Sequence, residues 1–123
     1  MTIKIKIYPE NPAPRHINTI VQNLSSGGII IYPTDTVYAV GCDMRNHKAI
    51  DKLCQLLGKK PEQANLSLIC HDLSNIAEYT VPFDNSVYKL MKRSLPGPYT
   101  FILKANNQVP KLFKNKKKTI GIR

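Results

Sequence analysis

The stretch "GGIIIYPTDTVYAVGCD", Gly27–Asp43, decides how the chain is read. Two apolar runs, Ile29–Tyr32 and Val37–Val40, flank a polar wedge, Thr34-Asp35-Thr36, that follows a proline. Pro33 fixes φ and withdraws a ladder donor, so the first run ends there. A continuous apolar run is the mark of a strand covered on both faces. Ile29–Tyr32 is therefore expected to be a central buried strand with Thr34 at its open end. The wedge also suits a turn that bonds its own backbone, and Asp35 is the member of the three expected to do only that.

Outward from this stretch the periodicity alternates. Ile3, Ile5 and Ile7 share one face at period two, which predicts a short strand. Pro12 and Pro14 suit a helix entry, and Ile17, Ile20, Val21 and Leu24 lie at helical spacing until Gly27-Gly28 stops them. Asn46 can cap a helix with Ile50, Leu53, Cys54 and Leu57 on its apolar stripe, ended by Gly58. Leu66–Cys70 reads as a strand. Asp72 or Ser74 can cap a short helix through Tyr79. Asp84 or Ser86 can cap another that turns Val87, Leu90 and Met91 inward. "LPGP" breaks the chain, Tyr99–Lys104 is a strand, and Thr119–Ile122 begins a last one. Strands alternating with helices predict a single α/β domain over residues 1–123, a twisted open mixed sheet with flanking helices.

Composition narrows the class. The 123 residues suffice for one core, and no window approaches a membrane span of about 18 apolar residues. The start, "MTIKIKIYPE", has no apolar h-region, so no secretory signal is read there. Cys42, Cys54 and Cys70 are isolated and form no CxxC pair, which points to reduced thiols in a cytoplasm and away from a metal site. The charge is uneven. Residues 1–84 carry all 8 acidic residues and 8 of the Lys/Arg, whereas residues 85–123 carry 10 Lys/Arg and no acid. The whole net charge of +10 thus lies in the last third, as in a protein that meets a polyanion, although a lysine-rich solvated surface reads the same way. The generic motifs GxxxxGK[ST], GxGxxG, HExxH and GxSxG are absent.

"YPTDTVYAVGCD", "LPGPYTFIL" and "TIGIR" together resemble the YrdC/YciO family, whose best-known members are threonylcarbamoyl-AMP synthases. The family pattern runs close to PT[ED]TVYGLG, KxRP, PLIVH, PGPxTxxL and a strand ending in RxP, in the order found here. The "FILK…VPK…KKKTIGIR" wording is nearer the YciO branch. The resemblance implies a twisted α/β sheet around a basic cleft. It also implies condensation of L-threonine, bicarbonate and ATP into threonylcarbamoyl-adenylate and pyrophosphate, for a later transfer to an adenosine of tRNA. ATP enters as a substrate, with Mg as a candidate companion ion, and no permanent cofactor is implied.

Residue by residue, the resemblance places Thr34, His71 and Arg123 at the threonine. The hydroxyls of Thr34 and Thr36 each donate and accept, which suits a small zwitterion. Arg123 matches the arginine that reaches the substrate carboxylate. His71 ends "LSLICH", with Ser67 where the family has proline, and reads equally as a strand-end neighbour of the Asp72 cap. Lys59, Lys60 and Thr119 are placed at the nucleotide. Gly58-Lys59-Lys60-Pro61 departs from KxRP, because a lysine stands where the family has a bidentate arginine. These lysines also read as a solvated pair, and Thr119 as an ordinary strand residue. "PGPYT" reads as a structural turn.

The family continues past RxP with a helix and an SxN motif that grips the nucleotide, so the chain is expected to be the N-terminal part of a YrdC-like domain, C-terminally incomplete. Little or no threonine-dependent pyrophosphate release is then expected of it. The alternative is a non-catalytic module for double-stranded RNA or tRNA, with Lys114, Lys116, Lys117 and Lys118 as its contacts. No membrane partner is expected.

Overall fold

A computed structural model of the chain describes residues 2–110 and 118–123. The elements are α1 (Pro14–Ser25), β1 (Ile30–Pro33), β2 (Tyr38–Gly41), α2 (His47–Leu57), a 3-10 turn (Pro61–Gln63), β3 (Ser67–Leu68), α3 (Leu73–Ala77), α4 (Asn85–Ser94), β4 (Phe101–Lys104) and β5 (Thr119–Ile122). The fold is mixed α/β, as the alternation predicts. Its strands fall into two small sheets: β1–β2, antiparallel, and β3-β5-β4, in which β5 is parallel to β3 and antiparallel to β4.

Local chemistry sets the helix ends. Pro14 opens α1 at a position that needs no N–H. Gly27, at φ 91°, then closes it: the Gly28 N–H donates to the Asn23 carbonyl at 2.8 Å and the Gly27 N–H to Leu24 at 3.1 Å, the Schellman arrangement. The Asn46 side chain accepts from the Ala49 N–H at 3.0 Å and so caps α2. Gly58, at φ 69°, repeats the Schellman ending, with the Lys59 N–H donating to the Cys54 carbonyl at 3.0 Å. Asp72 caps α3 by accepting from the Asn75 N–H at 2.7 Å. Asp84 stands at the N-cap of α4 without a side-chain bond.

The core lies on the second sheet. Ile50, Cys54, Leu68, Ile76, Met91, Val109, Ile120 and Ile122 form one buried cluster drawn from α2, β3, α3, α4, β5 and the connection after β4. Each fully buried aliphatic side chain contributes about 1.5–3 kcal/mol of transfer free energy. Leu57 and Leu90, expected on inner faces, are exposed.

Two expectations from the sequence are corrected. Residues 2–7 form no strand. Ile5 and Ile7 are half-buried while Lys4 and Lys6 are exposed, so the period-two pattern survives as alternating exposure without a paired strand. Nor is Ile29–Tyr32 central and buried. β1 sits in a two-stranded sheet, and Ile31 is 69% exposed. The central buried strand is β5, flanked by β3 and β4, with Ile120 and Ile122 in the core. A run of isoleucines supplies apolar surface for both faces, but burial requires a neighbour on each face and each edge.

Candidate functional site

The polar wedge after β1 is a tight turn built on one hydroxyl. Thr34 Oγ1 accepts from the N–H groups of Thr36 and Val37, both at 3.1 Å, and donates to the Val37 carbonyl. The Thr36 hydroxyl lies 3.2 Å away. One donor and two acceptor sites are thereby engaged within the turn. The turn-forming role expected of Asp35 thus belongs to Thr34. Asp35 instead leaves the turn: its Oδ1 accepts from the Arg123 guanidinium at 3.1 Å, across 88 residues of sequence.

Arg123 is held from its backbone. Its N–H donates to the Leu68 carbonyl at 2.9 Å, and its carbonyl accepts from the Cys70 N–H at 3.0 Å, which extends the parallel β3–β5 pairing by one residue. Along β5, Ile120 and Ile122 point to the core while Thr119 and Gly121 lie on the half-buried face. Glycine at 121 leaves room for the Ser67 side chain of β3, since a Cβ there would meet Ser67 Oγ at 2.6 Å and make that hydroxyl turn away. The Arg123 side chain, 26% exposed, reaches Thr36 Oγ1 at 3.4 Å as well as Asp35.

Two cavities meet at this arginine. One, of about 490 Å³, extends toward Arg45, Asn65, Ser67 and Tyr79. The other, of about 360 Å³, extends toward His71, Leu73 and Pro96. They share Tyr32, Thr34, Ile69, Cys70 and Arg123. The smaller cavity therefore brings Thr34, His71 and Arg123 together. His71 is well exposed, with Nε2 3.2 Å from Asp72 Oδ2, so both the cavity and the cap claim it. Neither cavity is lined by Lys59, Lys60 or Thr119. The two lysines are exposed beyond the Gly58 turn, and Thr119 starts β5 opposite Lys104. Lys118 is exposed at φ 57°, while Lys114, Lys116 and Lys117 lie outside the described residues.

The larger cavity adds a cation, Arg45, that no sequence motif singles out. Arg45 and Tyr79 both line it, and the interaction with Tyr79, then the charge of Asp43, pushes the Arg45 guanidinium above its usual value. The Arg45 N–H also donates to Asp43 Oδ1 at 2.9 Å, so the turn after β2 positions this arginine. Cys42 and Cys70 line the same cavity. Burial pushes both thiols up, with neighbouring acids adding to it, so they stay protonated at neutral pH. No group of three or more His, Cys, Asp or Glu among the described residues is placed to hold a metal ion. No helix among them is long and apolar enough to cross a membrane.

Known proteins match this chain in sequence and in fold. The family model Sua5/YciO/YrdC, described as "Telomere recombination", matches residues 22–123. The uncharacterized protein YciO of Escherichia coli K12 is 43% identical over 118 residues, 95% of this chain and 56% of that protein. The crystal structure of E. coli YciO superposes with a TM-score of 0.86 at 42% identity, over 95% of this chain and 56% of that one. A threonylcarbamoyl-AMP synthase of Halorhodospira halophila is 31% identical over 115 residues, 94% of this chain and 60% of that protein. P. abyssi Sua5 complexed with L-threonine shares the fold, with a TM-score of 0.80 at 22% identity over 92% of this chain and 33% of that one. The chain spans little more than half the length of the curated relatives it matches. With a family model matched over most of its length, the chain belongs to the Sua5/YciO/YrdC family.

Proposed function

We propose that the groove around Arg123 is the amino-acid side of a threonylcarbamoyl-AMP synthase-type site. The observation that carries this reading is the gathering of Thr34, His71 and Arg123, from three separate parts of the chain, around one cavity of about 360 Å³. The H. halophila relative named for the reaction and the P. abyssi neighbour carrying L-threonine support it. In this reading the Arg123 guanidinium takes the carboxylate of L-threonine and the Thr34 turn forms the wall beside it. ATP and bicarbonate are the co-substrates. Lys59, Lys60 and Thr119 face the nucleotide, where positioned cations stabilise phosphate charge as it develops. A tRNA adenosine is the final acceptor of the threonylcarbamoyl group.

The test is L-threonine binding to the 123-residue chain, followed by calorimetry or NMR. A charge-assisted hydrogen bond is worth about 1.5–3 kcal/mol, and about 1.4 kcal/mol is tenfold. Arg123→Gln is expected to weaken L-threonine by tenfold or more. Unchanged affinity in that variant refutes the assignment.

The charge asymmetry favours a second reading, a double-stranded RNA or tRNA contact through the basic last third that holds Lys114, Lys116, Lys117 and Lys118. Its affinity should fall steeply with salt, with a log–log slope of roughly −0.7 per phosphate contact for single strands and −0.9 for duplexes, the latter calibrated on B-form DNA. A flat salt response removes it.

A further inference from the structure

The guanidinium that a ligand carboxylate would take is already held by a carboxylate of the protein. Asp35 Oδ1 lies 3.1 Å from Arg123, at the lip of the smaller cavity that both residues line. We propose that Asp35 is an internal competitor for Arg123, a built-in carboxylate that an incoming ligand carboxylate displaces. Asp35 thereby sets the affinity and selectivity of the groove. This rests on the reading of Arg123 as the carboxylate-binding residue.

Three features make the exchange a side-chain event. The backbone under Asp35 is fixed by the bonds of the Thr34 hydroxyl to Thr36, Val37 and the Val37 carbonyl. Pairing with Leu68 and Cys70 fixes the backbone under Arg123. Thr36 Oγ1, 3.4 Å from the guanidinium, keeps it aimed at the cavity once Asp35 swings away. The exchange is also inexpensive. The Asp35 side chain is 46% exposed, so on release it is solvated without a new protein partner. An ion pair this exposed holds its partners by only a few-fold in equilibrium terms. A ligand that brings a carboxylate and further contacts overcomes it, whereas an analogue without a carboxylate gains nothing from Arg123 and leaves the pair closed.

The experiment compares the 123-residue chain with Asp35→Asn. L-threonine, acetate and L-threoninamide are titrated separately, and the arginine side-chain NMR signals are followed. Asp35→Asn is expected to bind L-threonine and acetate about two- to fivefold more tightly. L-threoninamide should not gain, and Asp35→Glu should restore the original affinities. Melting curves and the Asp35→Ala variant control for folding. Carboxylate affinities that are unchanged or weaker in Asp35→Asn overturn the competitor while leaving threonine binding intact. Tighter acetate without any L-threonine binding keeps the competitor and removes the threonine assignment. Binding of neither carboxylate to either protein overturns the proposal.

Discussion

The two sheets of this chain are built from similar residues and come to different ends. β5 reads TIGI and places Ile120 and Ile122 fully inside. β1 reads IIYP and leaves Ile31 69% exposed. Around β5, the helices α2, α3 and α4 each give at least one buried side chain to a common core. α1 gives none, and its apolar face keeps Val21 52% exposed. The difference teaches that apolar content is only the raw material of a core. What converts it is the number of neighbours, and β5 has strands on both edges and helices against it. The groove lies where the two regions meet, with the turn after β1 on one side and the end of β5 on the other, bridged by Asp35 and Arg123.

The strongest way to break this contrast is to remove equal side chains from the two sheets. Ile122→Ala, at a fully buried site, should cost about 2–5 kcal/mol. Ile31→Ala should stay within about 0.5 kcal/mol, the range of ordinary surface changes. Urea unfolding monitored by circular dichroism measures both, and equal losses would erase the distinction. A smaller effect tests the cap that starts α2 on the packed side. Asn46→Ala removes the acceptor for the Ala49 N–H and should cost about 0.5–2 kcal/mol in the same assay.

The bridge between the regions should be weaker still. A double-mutant cycle with Asp35→Asn and Arg123→Gln should give a coupling of about 0.2–1 kcal/mol, because both side chains are partly exposed. A coupling well above that would mean that the ion pair, and not backbone pairing, holds the regions together. The subtlest difference concerns pH. Burial raises the thiols of Cys42, Cys54 and Cys70, all on or beside the packed core. A folded value above the unfolded one means that their contribution is complete below the unfolded value, about pH 8.5, and is lost as pH rises through the native values. Stability should therefore be insensitive to these thiols from pH 6 to 8 and decline above about pH 9, less so in Cys70→Ser. A thiol-independent alkaline profile would contradict it.

Much of the local structure was legible because it is caused locally. Pro14, Asn46, Gly58 and Asp72 each act within one turn of their own position, and each helix begins or ends where they say. That Thr34, His71 and Arg123 belong together was legible only through the family's motifs, since no spacing connects positions 34, 71 and 123. Arg45, which shares a cavity with Tyr79, was not legible for the same reason. Its partner is distant in sequence, and a lone arginine after an Asx turn carries no signal of its own.

The sequence by itself determined the start of α1, the caps of α2 and α3, the mixed α/β class and the family, because these depend on contacts within a few residues or on motifs in a fixed order. Only the tertiary structure decided that β5 and not β1 is the buried strand, and that Thr34 closes the turn while Asp35 crosses to Arg123. Those outcomes depend on which surfaces find a neighbour. Periodicity fixes the face that a side chain occupies, but what lies opposite that face is a property of the whole chain.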